Sequence, residues 1–323
     1  MSFDSSILKT DGEIKSPRNA YGETLVELGE TNKNIVVLDA DLSCSTQTCK
    51  FASKFPERFF NSGIAEQDMM TTAAGLAIGG KIPFVSTFAM FATARCLDQI
   101  RNSICYPKLN VKIVATHGGI TVGEDGASHQ ALEDVSFMRS LPDMTVIIPS
   151  DYNEVKQAVK YALEVDGPCY IRVSRTNLKT VFDESNYKFN PKNAVKLTEG
   201  SDVTVVTNGE TLIEALNAAK MLEKDDIKAE ILHIPVIKPF FAKDDLIKSA
   251  QKTKKVITIE NHSIIGGIGS IVCETLSENY PCSVLRIGTN DVFGQSGEQR
   301  VLMEYYGLTA ERLYEKIKKF LDK

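Results

Sequence analysis

The chain predicts an α/β fold built as two successive parallel-sheet units. Three observations carry this: short apolar runs rich in β-branched residues recur, helical patterns separate them, and the alternation breaks once in a polar stretch. The runs 35–38, 82–86, 111–116, 145–148 and 169–173 are candidate strands of the first unit. Those of the second are 203–207, 229–234, 256–260 and 283–287. Runs this apolar suit strands covered on both faces, as in a parallel sheet. Crossover helices fit between them. The spacing predicts one over 151–165, capped by Asp151, with Val155, Ala158, Val159 and Ala162 as its apolar stripe. Another fits 211–222, where Leu212, Ala215, Leu216 and Ala219 share one side. From 177 to 200 the chain is polar, carries Pro191 and shows no sustained period. It reads as a linker, 181–200, between a first domain, 12–180, and a second, 201–323.

The length of 323 residues suffices for two well-formed cores, and 43% hydrophobic residues is a globular composition. A net charge of -5 with mixed signs gives no footprint for nucleic acid or an anionic membrane. No apolar run is long enough to cross a bilayer, and the N-terminus lacks the basic and apolar regions of a signal peptide. Seven scattered cysteines without a CxxC pair read as reduced thiols, which makes a cytoplasmic location the expectation. No metal-ligand spacing is found.

Three segments carry candidate chemistry. In Phe60-Asn61-Ser62-Gly63-Ile64-Ala65-Glu66-Gln67-Asp68, Glu66 opens a helix. A carboxylate there commonly just complements the helix dipole. The helix that follows is almost without bulk, through Thr71, Thr72, Ala73, Ala74, Gly75, Ala77, Gly79 and Gly80. Such a surface allows close approach of another backbone, as at a subunit contact, and would shield Glu66 so that it could share a proton with a ring nitrogen. Phe88 and Phe91, three apart, are expected on one helix face, either as core or as a stacking platform for a flat ring. The third segment is Thr116-His117-Gly118-Gly119-Ile120-Thr121-Val122-Gly123-Glu124-Asp125-Gly126-Ala127-Ser128-His129-Gln130. It holds two of the chain's four histidines and reads as a flexible ligand loop after a strand end. His233 reads as a satisfied core residue, while His262 is open. Gly267-Ile268-Gly269 lacks the third small residue of a dinucleotide fingerprint, because Val272 stands there.

Taken in order with Asp39-Ala40-Asp41-Leu42, Arg139-Ser140-Leu141-Pro142-Asp143 and Ser174-Arg175-Thr176-Asn177, these segments resemble the pyrimidine-binding half of transketolase. The likeness continues through Ile259-Glu260-Asn261-His262 to Gly269 and through Phe293-Gly294-Gln295-Ser296-Gly297, so it covers nearly the whole chain. The resemblance implies a pyrimidine-type thiamine diphosphate-binding parallel-sheet domain followed by a transketolase C-terminal-type α/β domain. It assigns Glu66 to the aminopyrimidine of the cofactor and its proton relay, Phe88 and Phe91 to ring stacking, and Asp41 to the cofactor's vicinity. The third aromatic of many transketolases falls at Ala94. Arg18, Ser45, His117 and Arg175 match sugar phosphate positions. Asp125 matches a residue that reads a substrate hydroxyl, and His129 one near the reacting carbons. Glu66, His117 and His129 are thus the implied catalytic set, and phosphorylated ketoses and aldoses of the pentose phosphate kind the implied substrates.

Transketolases hold the diphosphate and its Mg2+ or Ca2+ through Gly-Asp-Gly followed by paired asparagines, and neither motif is present. The chain therefore resembles the C-terminal subunit of a split transketolase. The expected partner is a separate N-terminal subunit that binds the diphosphate and metal, in a two-plus-two heterotetramer, with the chain inert alone. Three alternatives stand beside this: a deoxyxylulose phosphate synthase-like subunit, a 2-oxoacid dehydrogenase beta-like subunit, and a non-catalytic binding subunit.

Overall fold

The computed structural model describes residue 4, residues 6–9 and residues 11–322, and two largely parallel sheets organise them. Every run read as a strand forms one. The first sheet is ordered Val236–Lys238, Thr145–Ile147, Cys169–Val173, Lys112–Thr116, Ile82–Phe88, Ile35–Asp39, Phe59–Asn61, with only Val236–Lys238 antiparallel. The second is ordered Ser283–Thr289, Lys255–Ser263, Val203–Thr207, Ala229–His233, Val195–Lys196, with only the last antiparallel. A small antiparallel pair, Ile14–Lys15 with Leu178–Lys179, ties the two ends of the first region together.

Burial on both faces explains the unbroken apolar runs. In Ile35–Asp39, Val36 and Leu38 enter one core cluster while Ile35 and Val37 enter another on the opposite face. A third cluster fills the second unit around Leu212, Ala215, Leu216 and Ala219, which lie on the helix Thr211–Glu223. The helix Tyr152–Ala162 begins where its cap predicts, with the Asp151 carboxylate accepting from the Glu154 amide at 2.8 Å.

Two segments differ from their sequence reading. Val236–Lys238 lies in the second half of the chain yet extends the first sheet, pairing with Thr145–Ile147. The polar stretch 181–200, read as a linker, is itself packed. Phe182 and Tyr187 are buried and stacked with centroids 3.9 Å apart, and the second Asp151 oxygen accepts from the amides of Val181 (2.6 Å) and Phe182 (2.9 Å). His233 is a satisfied core residue, its Nε2 2.9 Å from both Glu154 oxygens.

Register places the chemistry. Asp39 pairs with Asn61 and Ser86, Phe88 with Thr116, and Thr116 with Val173. The segments that leave these strands therefore emerge along one C-terminal edge, where parallel α/β sheets build their sites. They carry Asp41 and Ser45, Glu66, Phe91, His117 and Arg175.

Candidate active site

At that edge Glu66 is 2% exposed, at the first turn of the helix Glu66–Ile78. Its Oε2 accepts from Arg95 Nη1 at 2.8 Å. Burial and the nearby Glu66 charge push the Cys96 thiol up to about 12, so it stays protonated.

Phe88 does not share a helix with Phe91. It ends the strand Ile82–Phe88, and Phe91 sits on the short helix Ala89–Thr93. The tight turn still stacks the two rings, with centroids 5.9 Å apart and planes 20° apart. Both loop histidines pack on this pair. His117 stacks on Phe88 at 3.8 Å, and His129 meets Phe91 edge-on at 5.2 Å.

The loop carrying the histidines is held firmly, contrary to its flexible reading. Gly119, Gly123 and Gly126 all adopt positive φ, and a Cβ on Gly118 would stand 2.1 Å from Arg172 Nε. These glycines serve close packing against neighbouring elements. The Ile120 amide donates to Asn261 Oδ1 at 2.9 Å, and Gln130 Nε2 donates to the carbonyls of Ile120 (3.1 Å) and Gln295 (3.0 Å). Asn261 and Gln295 belong to the second unit, so that unit supports the loop directly. His262 of that unit is buried, with Nδ1 2.7 Å from the Ser263 carbonyl and Nε2 without a hydrogen-bond partner among the described residues.

His117 adopts φ +61° and its Nδ1 lies 2.7 Å from Thr116 Oγ1. Burial, then the charges of Arg18 and Arg175, then His129, push its pKa down to about 3. The two guanidinium groups thus converge on one place. Arg18 Nη1 donates to the Ser45 carbonyl at 2.8 Å, while its buried Nε has no hydrogen-bond partner among the described residues. Burial and the neighbouring Arg175 hold its pKa below the usual guanidinium value. Arg175 donates to the Val122 carbonyl and lies 3.5 Å from Glu124 and 3.9 Å from Asp125. Two guanidinium groups close enough to depress one histidine would suit an anion, although Arg175 already lies beside Glu124 and Asp125.

Asp41 is exposed at φ +63°, and its amide donates to Asn61 Oδ1 at 3.1 Å. Sequence reasoning passed over what shapes this corner. Buried Asp39 accepts from the Leu42 amide (2.6 Å), Thr46 (2.7 Å) and Thr48 (2.9 Å), which folds 41–48 back beneath Arg18. The signal was there: an aspartate at a strand end followed by hydroxyl residues. Arg95 was missed as well, and nothing in its local sequence marks it. Ala94, where a third aromatic was expected, is exposed.

Two largely parallel α/β units, with acidic, aromatic, histidine and arginine side chains gathered at one sheet edge, define the class of protein by fold. Residues 15–180 match the family model of the transketolase pyrimidine binding domain, and residues 192–313 that of the transketolase C-terminal domain. The chain belongs to the transketolase family. It is 48% identical over 319 residues to a chain from Methanocaldococcus jannaschii provisionally named a transketolase C-terminal section, covering 98% of this chain and 100% of that one. It is 41% identical over 296 residues to the 6-deoxy-6-sulfo-D-fructose transketolase subunit SqwH of Clostridium sp., covering 92% and 91%. Among solved structures it is similar to a split gene transketolase in an inactive beta4 tetramer, with TM-score 0.88 and 51% identity over 95% of this chain and 99% of that one. A pyrimidine-binding transketolase domain implies thiamine diphosphate binding. Among the described residues no helix is long and apolar enough to cross a membrane.

Proposed function

We propose that this chain is the C-terminal subunit of a thiamine diphosphate-dependent transketolase, moving a two-carbon ketol unit from a phosphorylated ketose to an aldose phosphate acceptor. The observation that carries the proposal is the convergence of Glu66, the Phe88–Phe91 pair, both loop histidines and two arginines at one sheet edge. In this reading residues 12–180 form the cofactor-facing domain, and 201–323 the domain that braces its substrate loop through Asn261 and Gln295.

The residues fit the ring end of the cofactor. Glu66 offers a buried carboxylate to a ring nitrogen, and Phe88 and Phe91 offer apolar faces beside it. Asp41 lies at the same edge. When bound, thiamine diphosphate supplies the electron sink for breaking the carbon–carbon bond. Glu66 holds or releases the proton at the ring nitrogen, and the buried surroundings keep water from competing. Arg18 and Arg175, with the Ser45 segment, grip the sugar phosphate. His117, kept neutral by burial, joins them at the sugar phosphate, His129 contacts the sugar near its reacting carbons, and Asp125 accepts from a sugar hydroxyl. The diphosphate and its Mg2+ or Ca2+ fall to a separate N-terminal subunit, in a heterotetramer. Pentose phosphates are the default substrates. The two neighbouring arginines favour this over a 2-oxoacid dehydrogenase-like role, which has no phosphate to bind.

The test is Glu66→Gln in the complex reconstituted with the partner. Ketol transfer should fall by about 10²–10⁴ in kcat, the usual worth of a positioned proton carrier, while sedimentation shows the complex intact. Unchanged turnover would remove Glu66 from the proton relay.

A further inference from the structure

Arg95 makes the two contacts that the proposed function reserves for the cofactor's ring. Its planar guanidinium donates to Glu66 Oε2 at 2.8 Å and lies over the Phe91 ring at 4.8 Å. An aminopyrimidine is likewise a planar nitrogen group that would bond Glu66 and stack on the aromatic pair. The side chain of Arg95 is 45% exposed, whereas that of Glu66 is 3% exposed. The arginine therefore has solvent to move into, and the carboxylate does not. Its neighbour Ala94 is exposed too, a small residue at the position where a third aromatic is expected.

We propose that Arg95 is a built-in placeholder: in the chain without cofactor it occupies Glu66 and the face of Phe91, and it must swing outward before a pyrimidine ring can engage them. The inference rests on the assignment of Glu66 and Phe91 to the cofactor ring. A buried carboxylate left without a partner is costly, so a mobile internal cation keeps the site assembled until the ring arrives. The placeholder also lowers cofactor affinity, because the fraction of chains with a vacant Glu66 sets the apparent affinity.

The experiment is calorimetric titration of thiamine, without diphosphate or metal, into the isolated chain. Thiamine engages only the ring end of the site. Arg95→Ala should bind it about tenfold more tightly than the wild type, the scale of one charge-assisted hydrogen bond removed from the competition. Arg95→Lys keeps the charge but loses the planar stack, so it should fall between the two, and it stands in should Arg95→Ala not fold. Adding Glu66→Gln to Arg95→Ala should abolish the gain. Unchanged, weaker or undetectable binding by Arg95→Ala, or a gain that survives Glu66→Gln, would overturn the placeholder. Ketol transfer by the complex alongside unchanged thiamine affinity would sink this inference alone. Tightened affinity without ketol transfer would sink the functional reading alone.

Discussion

His117 shows how one residue's surroundings set what it can do. Burial and two guanidinium neighbours push its pKa to about 3, so it is neutral at any working pH and can only share hydrogen bonds. The unfolded chain protonates it near its ordinary value of 6.5, and the folded chain does not. The stability it carries is therefore full above that value and drains as pH falls toward 3. Its ring signals in NMR should stay fixed from pH 8 to pH 5, and a midpoint near 6.5 would contradict the packing. In the proposed function the arginines that depress it grip the sugar phosphate. Arg175→Ala should raise KM for the sugar phosphate by about 10–100-fold, the worth of a charge-assisted contact, and change kcat less. A fall in kcat with KM unchanged would place Arg175 at the reacting atoms instead.

At the scale of elements, the start of the helix Ile268–Asn279 explains why Gly267 and Gly269 do not make a nucleotide site. The Glu260 carboxylate already accepts from the amides of Ile268 (2.9 Å) and Gly269 (3.0 Å), filling the place a phosphate would take. A Cβ on Gly267 would stand 1.8 Å from Glu260 Oε2, so that glycine serves the cap. Burial raises the Glu260 pKa from 4.5 to about 7 despite these donors. A raised carboxylate holds its proton in the folded state where the unfolded chain has lost it. Its contribution is therefore present below pH 4.5 and lost as pH rises through 7. Glu260→Gln removes that dependence. In urea unfolding, the stability difference should move in favour of the variant by about 3 kcal/mol between pH 4.5 and pH 8. Parallel pH curves for the two chains would contradict a raised Glu260. The elements differed in how plainly the sequence announces them. Strands buried on both faces announce themselves by unbroken apolar runs. Phe59–Asn61 does not, being three residues long with Phe60 and Asn61 exposed. The stretch 181–200 reads as a linker because its anchors, Phe182 and Tyr187, follow no helix or strand period and are held by Asn153 and Glu154, well back along the chain.

Across the whole molecule, candidate site residues are legible where a motif meets a plain strand end, as at Phe88 and His117. They were hidden where a long side chain reaches in from elsewhere, as Arg95, Arg172 and Asn261 do. One large feature remains outside the chain's own packing. The helix Glu66–Ile78 turns Thr71, Thr72 and Gly75 outward, flanked by Ile64 at 79% and Ile78 at 75% exposure. A Cβ built on Gly75 would meet nothing within 4 Å, so this chain has no internal need for glycine there. Within a helix interior glycine even weakens the structure, by about 1 kcal/mol relative to alanine. A subunit contact gives the residue a reason: the backbone of another chain can approach where no side chain intervenes. Gly75→Leu separates the two demands. The isolated variant should melt at or above the wild-type temperature, because leucine is the better helix former and has room. Sedimentation velocity should show the assembled complex dissociating at concentrations where the wild type stays whole, with ketol transfer lost in step. A Gly75→Leu chain that assembles like the wild type would take this face out of the interface and leave the bare helix without a purpose.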